Sequence, residues 1–176
     1  MILVVSSSLR SESNSRFLAL EALRILRADG VGTSYLDLRD HPLPLCDAGE
    51  SLGHPNVAKV KALLDAADGI VVATPIYNYD ANAAVKNLVE MTCGSWDNKA
   101  VGFLCAAGGM GSYMSIMPLA NSLMLDFRSV IVPRFVYAVG EAFDGGRISD
   151  PKVAERVAEV ARMTARLSRA LAPTLQ

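Results

Sequence analysis

The sequence predicts a three-layer α/β/α domain, in which helices cover both faces of a parallel β-sheet. Three observations support this fold class. The strand candidates are short and apolar, helix candidates alternate with them along the chain, and 51% of the 176 residues are hydrophobic. A chain of this length is a normal size for one domain and can bury a sizeable core. We therefore expect one domain over residues 1–176.

Four segments are predicted as strands that are buried on both faces. They are too short for helices, contain Val and Ile, and do not alternate with polar residues, as is typical inside a parallel sheet. These segments are residues 1–5, 70–74, 100–106 and 129–132. A fifth segment, residues 33–38, does alternate, which favours an edge strand with one face exposed to solvent.

Five helices are predicted between and after these strands. The last helix has the clearest start signals. Asp150 is a candidate N-cap, Pro151 takes the first helical position, and apolar residues follow at a period of 3.6. The other four cover residues 15–29, 56–68, 80–91 and 112–127. Pro118 lies inside the fourth helix and should kink it or mark its true start. This β-α alternation gives parallel strands joined by right-handed helical crossovers.

Composition and charge exclude several classes of protein. Seventeen Lys and Arg against eighteen Asp and Glu leave a net charge of -1, so no basic field exists to hold a nucleic acid. The three cysteines, Cys46, Cys93 and Cys105, are odd in number and far apart, which argues against a disulfide framework or a zinc knuckle. No apolar run approaches the ~20 residues of a membrane span, and no signal peptide is evident. We expect a soluble cytoplasmic protein that binds neither nucleic acid nor membrane.

A serine-rich loop follows the first predicted strand. In an open parallel sheet, ligands bind beyond the carboxyl ends of the strands, where this loop lies. Residues 6–15 combine small hydroxyl side chains, one arginine (Arg10) and the start of a helix, which suits a phosphate group. A Ser-rich turn with ordinary N-capping is the alternative. The loop has no GxGxxG, which disfavours a Rossmann dinucleotide site, and no GxxxxGK[ST], which excludes a P-loop NTPase.

Two further loops reach the same edge of the predicted sheet. In residues 75–80, a proline ends the strand, and Tyr77 and Tyr79 could pack against a flat ring or simply fill gaps in a rigid turn. Residues 107–113 are rich in glycine, which permits close approach to a ligand but is equally typical of a strand-to-helix turn. Because the three loops meet at one edge, together they predict a ligand site more strongly than any one alone.

These motifs resemble those of the NAD(P)H-dependent FMN reductases, a flavodoxin-like family. The pattern G-S-x-R-x-x-S matches residues 7–13, with Ser7 in place of glycine, and T-P-x-Y-N followed by K-N matches residues 74–78 and 86–87. The glycine-rich loop matches at Gly108 and Gly109, and a closing F-D-x-x-G-R-x-x-D pattern matches residues 143–150 in a form one residue shorter. The similarity covers nearly the whole chain. It implies a flavodoxin-like sandwich with a five-stranded parallel sheet in the order 2-1-3-4-5.

The resemblance also implies which residues bind the cofactor FMN. It assigns the FMN phosphate to Ser8, Arg10, Ser13, Asn14 and Ser15, the isoalloxazine ring to Pro75, Ile76, Tyr77 and Asn78, and the pyrimidine side of the ring to Gly108, Gly109 and Met110. The chain departs from the family where glycine is usual near Tyr79 and Pro-Gly is usual near Asn82-Ala83. We therefore expect the shape of the ring pocket to differ from that of other members.

The activity implied by the resemblance is that of an NAD(P)H-dependent FMN or quinone reductase. Hydride would pass from NADPH or NADH to flavin N5, and then on to a flavin, a quinone or a similar small-molecule electron acceptor. No protein side chain is required for the chemistry, so we assign no catalytic residue. The family also implies a homodimer or homotetramer.

Other functions remain as alternatives or are disfavoured. An electron carrier like flavodoxin would bind FMN without accepting hydride from a nicotinamide, although the chain lacks the acidic surface of that class. A phosphoacceptor receiver domain needs acidic residues after its first and third strands, where this chain has Ser6–Ser8 and Thr74-Pro75. No metal site is expected, because His41 and His54 lack clustered carboxylates.

Overall fold

A computed structural model describes residues 1–172, which contain nine strands and five α-helices. The strands are β1 (Ile2–Ser6), β2 (Thr33–Asp37), β3 (Gly69–Tyr77), β4 (Asp80–Ala81), β5 (Ala100–Ala106), β6 (Val130–Ile131), β7 (Val136–Ala138), β8 (Phe143–Asp144) and β9 (Arg147–Ile148). The helices are α1 (Asn14–Ala28), α2 (Pro55–Asp65), α3 (Ala83–Thr92), α4 (Met117–Phe127) and α5 (Pro151–Leu171). Residues 173–176, which the predicted single domain includes, lie outside the described residues.

The predicted sheet order is confirmed. β1 pairs in parallel with β2 and β3, β3 pairs in parallel with β5, and the fifth position beside β5 is shared by β6 and β7. The segment expected at the edge, β2, does lie at one end of this order. Since all five positions run in parallel, the carboxyl ends of the strands meet at one edge of the sheet.

The fifth strand is longer and less regular than the sequence suggested. The segment predicted over residues 129–132 forms only the short β6, and β7 continues the position along β5 after an interruption. Pro133 has no N–H to donate to a ladder, and Arg134 has a left-handed φ of 64°, so regular pairing stops between the two strands. The apolar run at residues 129–132 therefore predicts the position of the fifth strand correctly, but it does not predict β7.

Both faces of the sheet are covered by helices, which explains the unbroken apolar strands. Alternate residues of β1 point to opposite sides: Leu3 and Val5 pack with residues of α2, α3 and α4, whereas Ile2 and Val4 pack with residues of α1 and α5. All four side chains are buried. Within residues 1–172, none of the helices combines the length and apolar character needed to cross a bilayer.

Most helix boundaries agree with the sequence, and the differences have local causes. Asp150 caps α5 as predicted, its side chain accepting from the Lys152 N–H. Pro118 marks the start of its helix rather than a kink, because α4 begins at Met117 and not at residue 112. The helix predicted from residue 80 begins at Ala83, because residues 80–81 form β4 instead. The sequence missed both this hairpin and the β8–β9 hairpin.

Helix α5 packs so closely on β5 that Gly102 has no room for a side chain. A Cβ built there would overlap Thr164 Oγ1 and lie 2.8 Å from Val160 Cγ1. We expect Gly102→Ala to lower the free energy of unfolding by about 1–3 kcal/mol, the usual cost of overpacking a core. Urea unfolding checks this value. In the control Gly32→Ala, where nothing lies within 4 Å of the built Cβ, stability should be unchanged or slightly raised.

Candidate functional site

A cavity of about 1300 Å³ opens at the carboxyl edge of the sheet. Its walls come from the three loops singled out in the sequence, together with the β8–β9 hairpin. Ten of the twelve predicted binding residues line it: Arg10, Ser13, Asn14, Ser15, Pro75, Ile76, Tyr77, Asn78, Gly108 and Gly109. Segments that are far apart in the sequence thus line one cavity.

Two predicted residues are not brought to this cavity. Ser8 is completely buried beneath the first loop, where its Oγ accepts a hydrogen bond from the Arg10 N–H at 3.3 Å. Met110 is largely exposed to solvent and does not line the cavity. Ser8 therefore supports the conformation of the loop, and neither side chain faces the space available to a ligand.

Part of the cavity wall comes from residues that the sequence motifs do not indicate. Phe17, Tyr79 and Ser112 line it, as does the β8–β9 hairpin around Gly145 and Gly146, whose φ values are 52° and 76°. The glycine-rich segment 139–149 contains this hairpin, and its composition and closing family pattern were the available signal. The Phe17 and Phe143 rings lie 6.5 Å apart and join the hairpin to helix α1.

The N-terminus of helix α1 presents unpaired hydrogen-bond donors to the cavity. Arg16 and Phe17 N–H both donate to the Ser13 carbonyl, but within residues 1–172 the N–H groups of Asn14 and Ser15 have no acceptor. Ser13 is the N-cap residue, yet its side chain makes no capping bond; its Oγ lies 2.9 Å from Ser15 Oγ. Free N–H groups at the positive end of a helix, beside two hydroxyls, form a site for an anion. These donors fit a phosphate group.

Arg16 turns away from this anion site and holds the first loop from behind. Its Nε donates to Asp37 Oδ2 at 2.6 Å, Nη1 donates to the carbonyls of Arg10 (2.8 Å) and Ser11 (3.0 Å), and Nη2 donates to the Ser8 carbonyl (3.0 Å). Three carbonyl oxygens are therefore bound by Arg16. No motif in the sequence indicates this role of Arg16.

The Arg16–Asp37 pair is largely buried, with side-chain exposures of 12% and 7%. Burial raises the pKa of Asp37, but the hydrogen bonds from the Arg16 side chain and the Arg39 N–H outweigh it, so the pKa lies below the ordinary value. The hydrogen bond to Asp37 raises the pKa of Arg16. Both groups therefore keep their charges near neutral pH, and the loop keeps its support.

Hydrogen bonds of the Asn82 side chain link the first loop to strand β3, which leads into the second loop. Its Oδ1 accepts from Ser7 Oγ (2.9 Å) and Thr74 Oγ1 (3.0 Å), and its Nδ2 donates to the Ser7 carbonyl (2.9 Å). The Asn82 side chain also caps helix α3 by accepting from the Val85 N–H. Ser7 and Asn82 are two of the positions at which the chain departs from the family pattern, and here they bind each other directly.

The third loop is held by Tyr137 of β7. The Tyr137 hydroxyl donates to the Gly109 carbonyl at 2.6 Å and lies 2.6 Å from Ser112 Oγ, which must then be the donor of that second bond. The N–H groups of Gly108 and Gly109 have no acceptor within the described part of the chain. They remain available to the acceptor atoms of a heterocycle in the cavity.

Potential metal-ligating side chains are dispersed over the part of the chain that the structure describes. Among residues 1–172, no group of three or more His, Cys, Asp or Glu side chains lies close enough together to hold a metal ion. The cavity instead offers N–H and hydroxyl donors at one end and backbone and aromatic surface along its walls. This arrangement suits a molecule with an anionic end and a flat ring.

The sequence profile of the family described as NADPH-dependent FMN reductase matches residues 1–144. The chain belongs to this family. It is 31% identical over 145 residues to an NAD(P)H-dependent FAD/FMN reductase of Geobacillus thermodenitrificans, with 81% of this chain and 77% of that protein covered. It is 26% identical over 170 residues to a probable NADPH:quinone oxidoreductase of Oryza sativa, with 90% and 84% covered.

Comparison with solved structures supports the same fold. The flavoenzyme NAD(P)H:(acceptor) oxidoreductase FerB from Paracoccus denitrificans aligns with a TM-score of 0.77 at 19% identity, covering 96% of this chain and 97% of that one. The family match confirms the family predicted from the motifs, and the likeness to solved structures confirms the flavodoxin-like fold class. Membership of the family also confirms an oxidoreductase with FMN as flavin cofactor and NAD(P)H as electron donor.

Proposed function

We propose that this NADPH-dependent FMN reductase binds FMN in the cavity and transfers reducing equivalents from NADPH or NADH to a quinone or flavin acceptor. For a quinone the overall reaction is NAD(P)H plus a proton plus quinone, giving NAD(P)⁺ and hydroquinone. One observation carries the proposal: unpaired donors at the start of α1 lie at one end of a cavity whose other walls include the second and third loops. The names of the Geobacillus and Oryza relatives support the two classes of acceptor.

The first loop would bind the phosphate. The N–H groups of Asn14 and Ser15, the hydroxyls of Ser13 and Ser15, and the Arg10 guanidinium are the donors on this side of the cavity. Hydrogen bonds to a charged group are roughly twice as strong as those between neutral groups. Because Arg16 binds the loop carbonyls from behind, those oxygens are kept from facing the phosphate anion.

The second and third loops would hold the ring. Pro75, Ile76, Tyr77 and Asn78 line one wall of the cavity, and Gly108 and Gly109 line another with free N–H groups. Such donors would stabilise negative charge on a heterocycle without any reorganisation. Bound FMN supplies the hydride-accepting chemistry, so no side chain is needed as nucleophile or general acid.

The cellular compartment and the oligomeric state of the protein are also proposed. Three free cysteines, of which Cys93 is exposed, support a reducing compartment such as the cytoplasm. Met110, Tyr113, Met114 and Met117 expose apolar surface next to the cavity, which supports a homodimer or homotetramer.

Anaerobic mixing of the FMN-loaded protein with NADPH and with NADH tests the proposed activity. We expect prompt bleaching of the visible flavin absorbance, followed by recovery of the colour when a quinone is added. A protein that binds FMN but is not bleached by either nucleotide would be an electron carrier, and the proposal would be wrong. Free FMN without protein is the control for direct reduction by the nucleotide.

A further inference from the structure

Tyr79 occupies a position in the cavity that the fold alone does not explain. It follows Asn78 in the two-residue turn between β3 and β4, and both residues have left-handed φ values, 50° and 63°. Such turns favour glycine or asparagine, because a side chain there crowds the backbone. Tyr79 is also 71% exposed, so a large aromatic residue is left in solvent. Neither the backbone nor solvation favours a tyrosine here.

The Tyr79 side chain reaches from this turn to the third loop. A Cβ built on Gly111 would lie 3.2 Å from the Tyr79 hydroxyl oxygen, a tight contact that the glycine avoids. Both Tyr79 and Gly111 line the cavity. The ring therefore crosses between two walls at the opening, and the missing side chain at residue 111 leaves room for it. Backbone strain retained beside a cavity is a common mark of a functional residue.

We propose that Tyr79 selects the electron acceptor: its ring is an aromatic cover on which a planar, quinone-type acceptor stacks when it enters the cavity. This inference rests on the proposed function. Flat aromatic rings gain attraction from stacking on a tyrosine, whereas a non-planar acceptor gains none. The ring is carried on a short hairpin with two ladder pairs, Ile76 with Ala81 and Tyr77 with Asp80, so it can adjust to a ring of different size.

The test replaces Tyr79 by glycine, which removes the ring and relieves the turn. Photoreduced, FMN-loaded protein is mixed with 1,4-naphthoquinone, which is planar, or with ferricyanide, which cannot stack. We expect the second-order rate constant for naphthoquinone to fall about fivefold to tenfold in Tyr79→Gly, and that for ferricyanide to stay equal or rise. Calorimetric titration of the oxidised, FMN-loaded protein should show a similar fold-loss in naphthoquinone affinity.

Three control measurements distinguish the effect of losing the aromatic ring from the effect of relieving strain in the turn. Tyr79→Phe keeps the ring and should keep the preference for naphthoquinone, whereas Tyr79→Leu keeps bulk without aromaticity and should lose it. In urea, Tyr79→Gly without FMN should unfold at a higher midpoint than the wild type, because glycine relieves the left-handed φ. Unchanged naphthoquinone kinetics in Tyr79→Gly, or full retention in Tyr79→Leu, would overturn the proposal. Photoreduction needs no nucleotide, so a failure of NADPH oxidation, which concerns the proposed function, would be seen separately.

Discussion

Replacing Ser13 by aspartate is expected to weaken FMN binding by at least about 100-fold, or roughly 3 kcal/mol. The new carboxylate would sit at the N-cap of α1, accept from the free N–H groups, and repel the phosphate that they would otherwise bind. The fold should not suffer, because aspartate is as good an N-cap as serine and its charge is favourable at a helix N-terminus. Titration of flavin fluorescence with the apoprotein gives the dissociation constant.

Ser13→Asn provides the matched control for this change. Asparagine also caps a helix well but carries no charge, so it should cost FMN affinity far less than aspartate does. Riboflavin, which lacks the phosphate, should bind both variants about as well as it binds the wild type. An equal loss of riboflavin and FMN affinity in Ser13→Asp would mean that the anion site does not bind the phosphate.

Breaking the Arg16–Asp37 pair is expected to have the second large effect. Arg16→Met leaves the buried Asp37 carboxylate without its charged partner and frees the carbonyls of Ser8, Arg10 and Ser11. Removing one partner of a buried ion pair costs about 3 kcal/mol or more. We expect the free energy of unfolding in urea to fall by this amount, and FMN affinity to fall with it, because the first loop loses its support.

Arg24→Met is the control on the same helix. Arg24 pairs with Glu21 in solvent, with 66% of the arginine side chain exposed, so its loss should leave the free energy of unfolding almost unchanged. The pH dependence gives a second check. Asp37 has a lowered pKa in the folded protein, so its stabilisation is fully present above about pH 4, the pKa of an unfolded aspartate, and is lost as the pH falls through the lower folded value. Over that acid range, the free energy of unfolding should fall less in Arg16→Met than in the wild type. Equal acid sensitivity of both proteins would contradict the role given to the pair.

The sheet and the location of the cavity could be predicted from local sequence. Apolar runs such as Ala100–Ala106 reveal strands buried on both faces, and parallel strands bring their following loops to one edge. The split of the fifth strand could not be read from residues 129–132, because the pairing of Val136 with Leu104 depends on how the chain resumes after Pro133. Periodicity reports burial, but it does not report where a strand resumes.

The contacts that support the site depend on residues distant in the sequence. Arg16 looks like an ordinary residue in the first turn of a helix, and only the fold brings it to Asp37 on the neighbouring strand β2. Ser7 and Asn82 each looked like an isolated departure from the family pattern, yet they are hydrogen bonded across 75 positions. A motif therefore predicts which loops face a ligand, whereas the side chains that hold those loops require the tertiary structure.

A crystal structure of the protein grown with excess FMN is the most direct test of the central claim. We predict that the phosphoryl group lies at the N-terminus of α1, within hydrogen-bond distance of the Ser15 N–H and the Ser13 hydroxyl, with the ring between the second and third loops. A flavin bound in the opposite direction, or a phosphoryl group outside the first loop, would contradict the account.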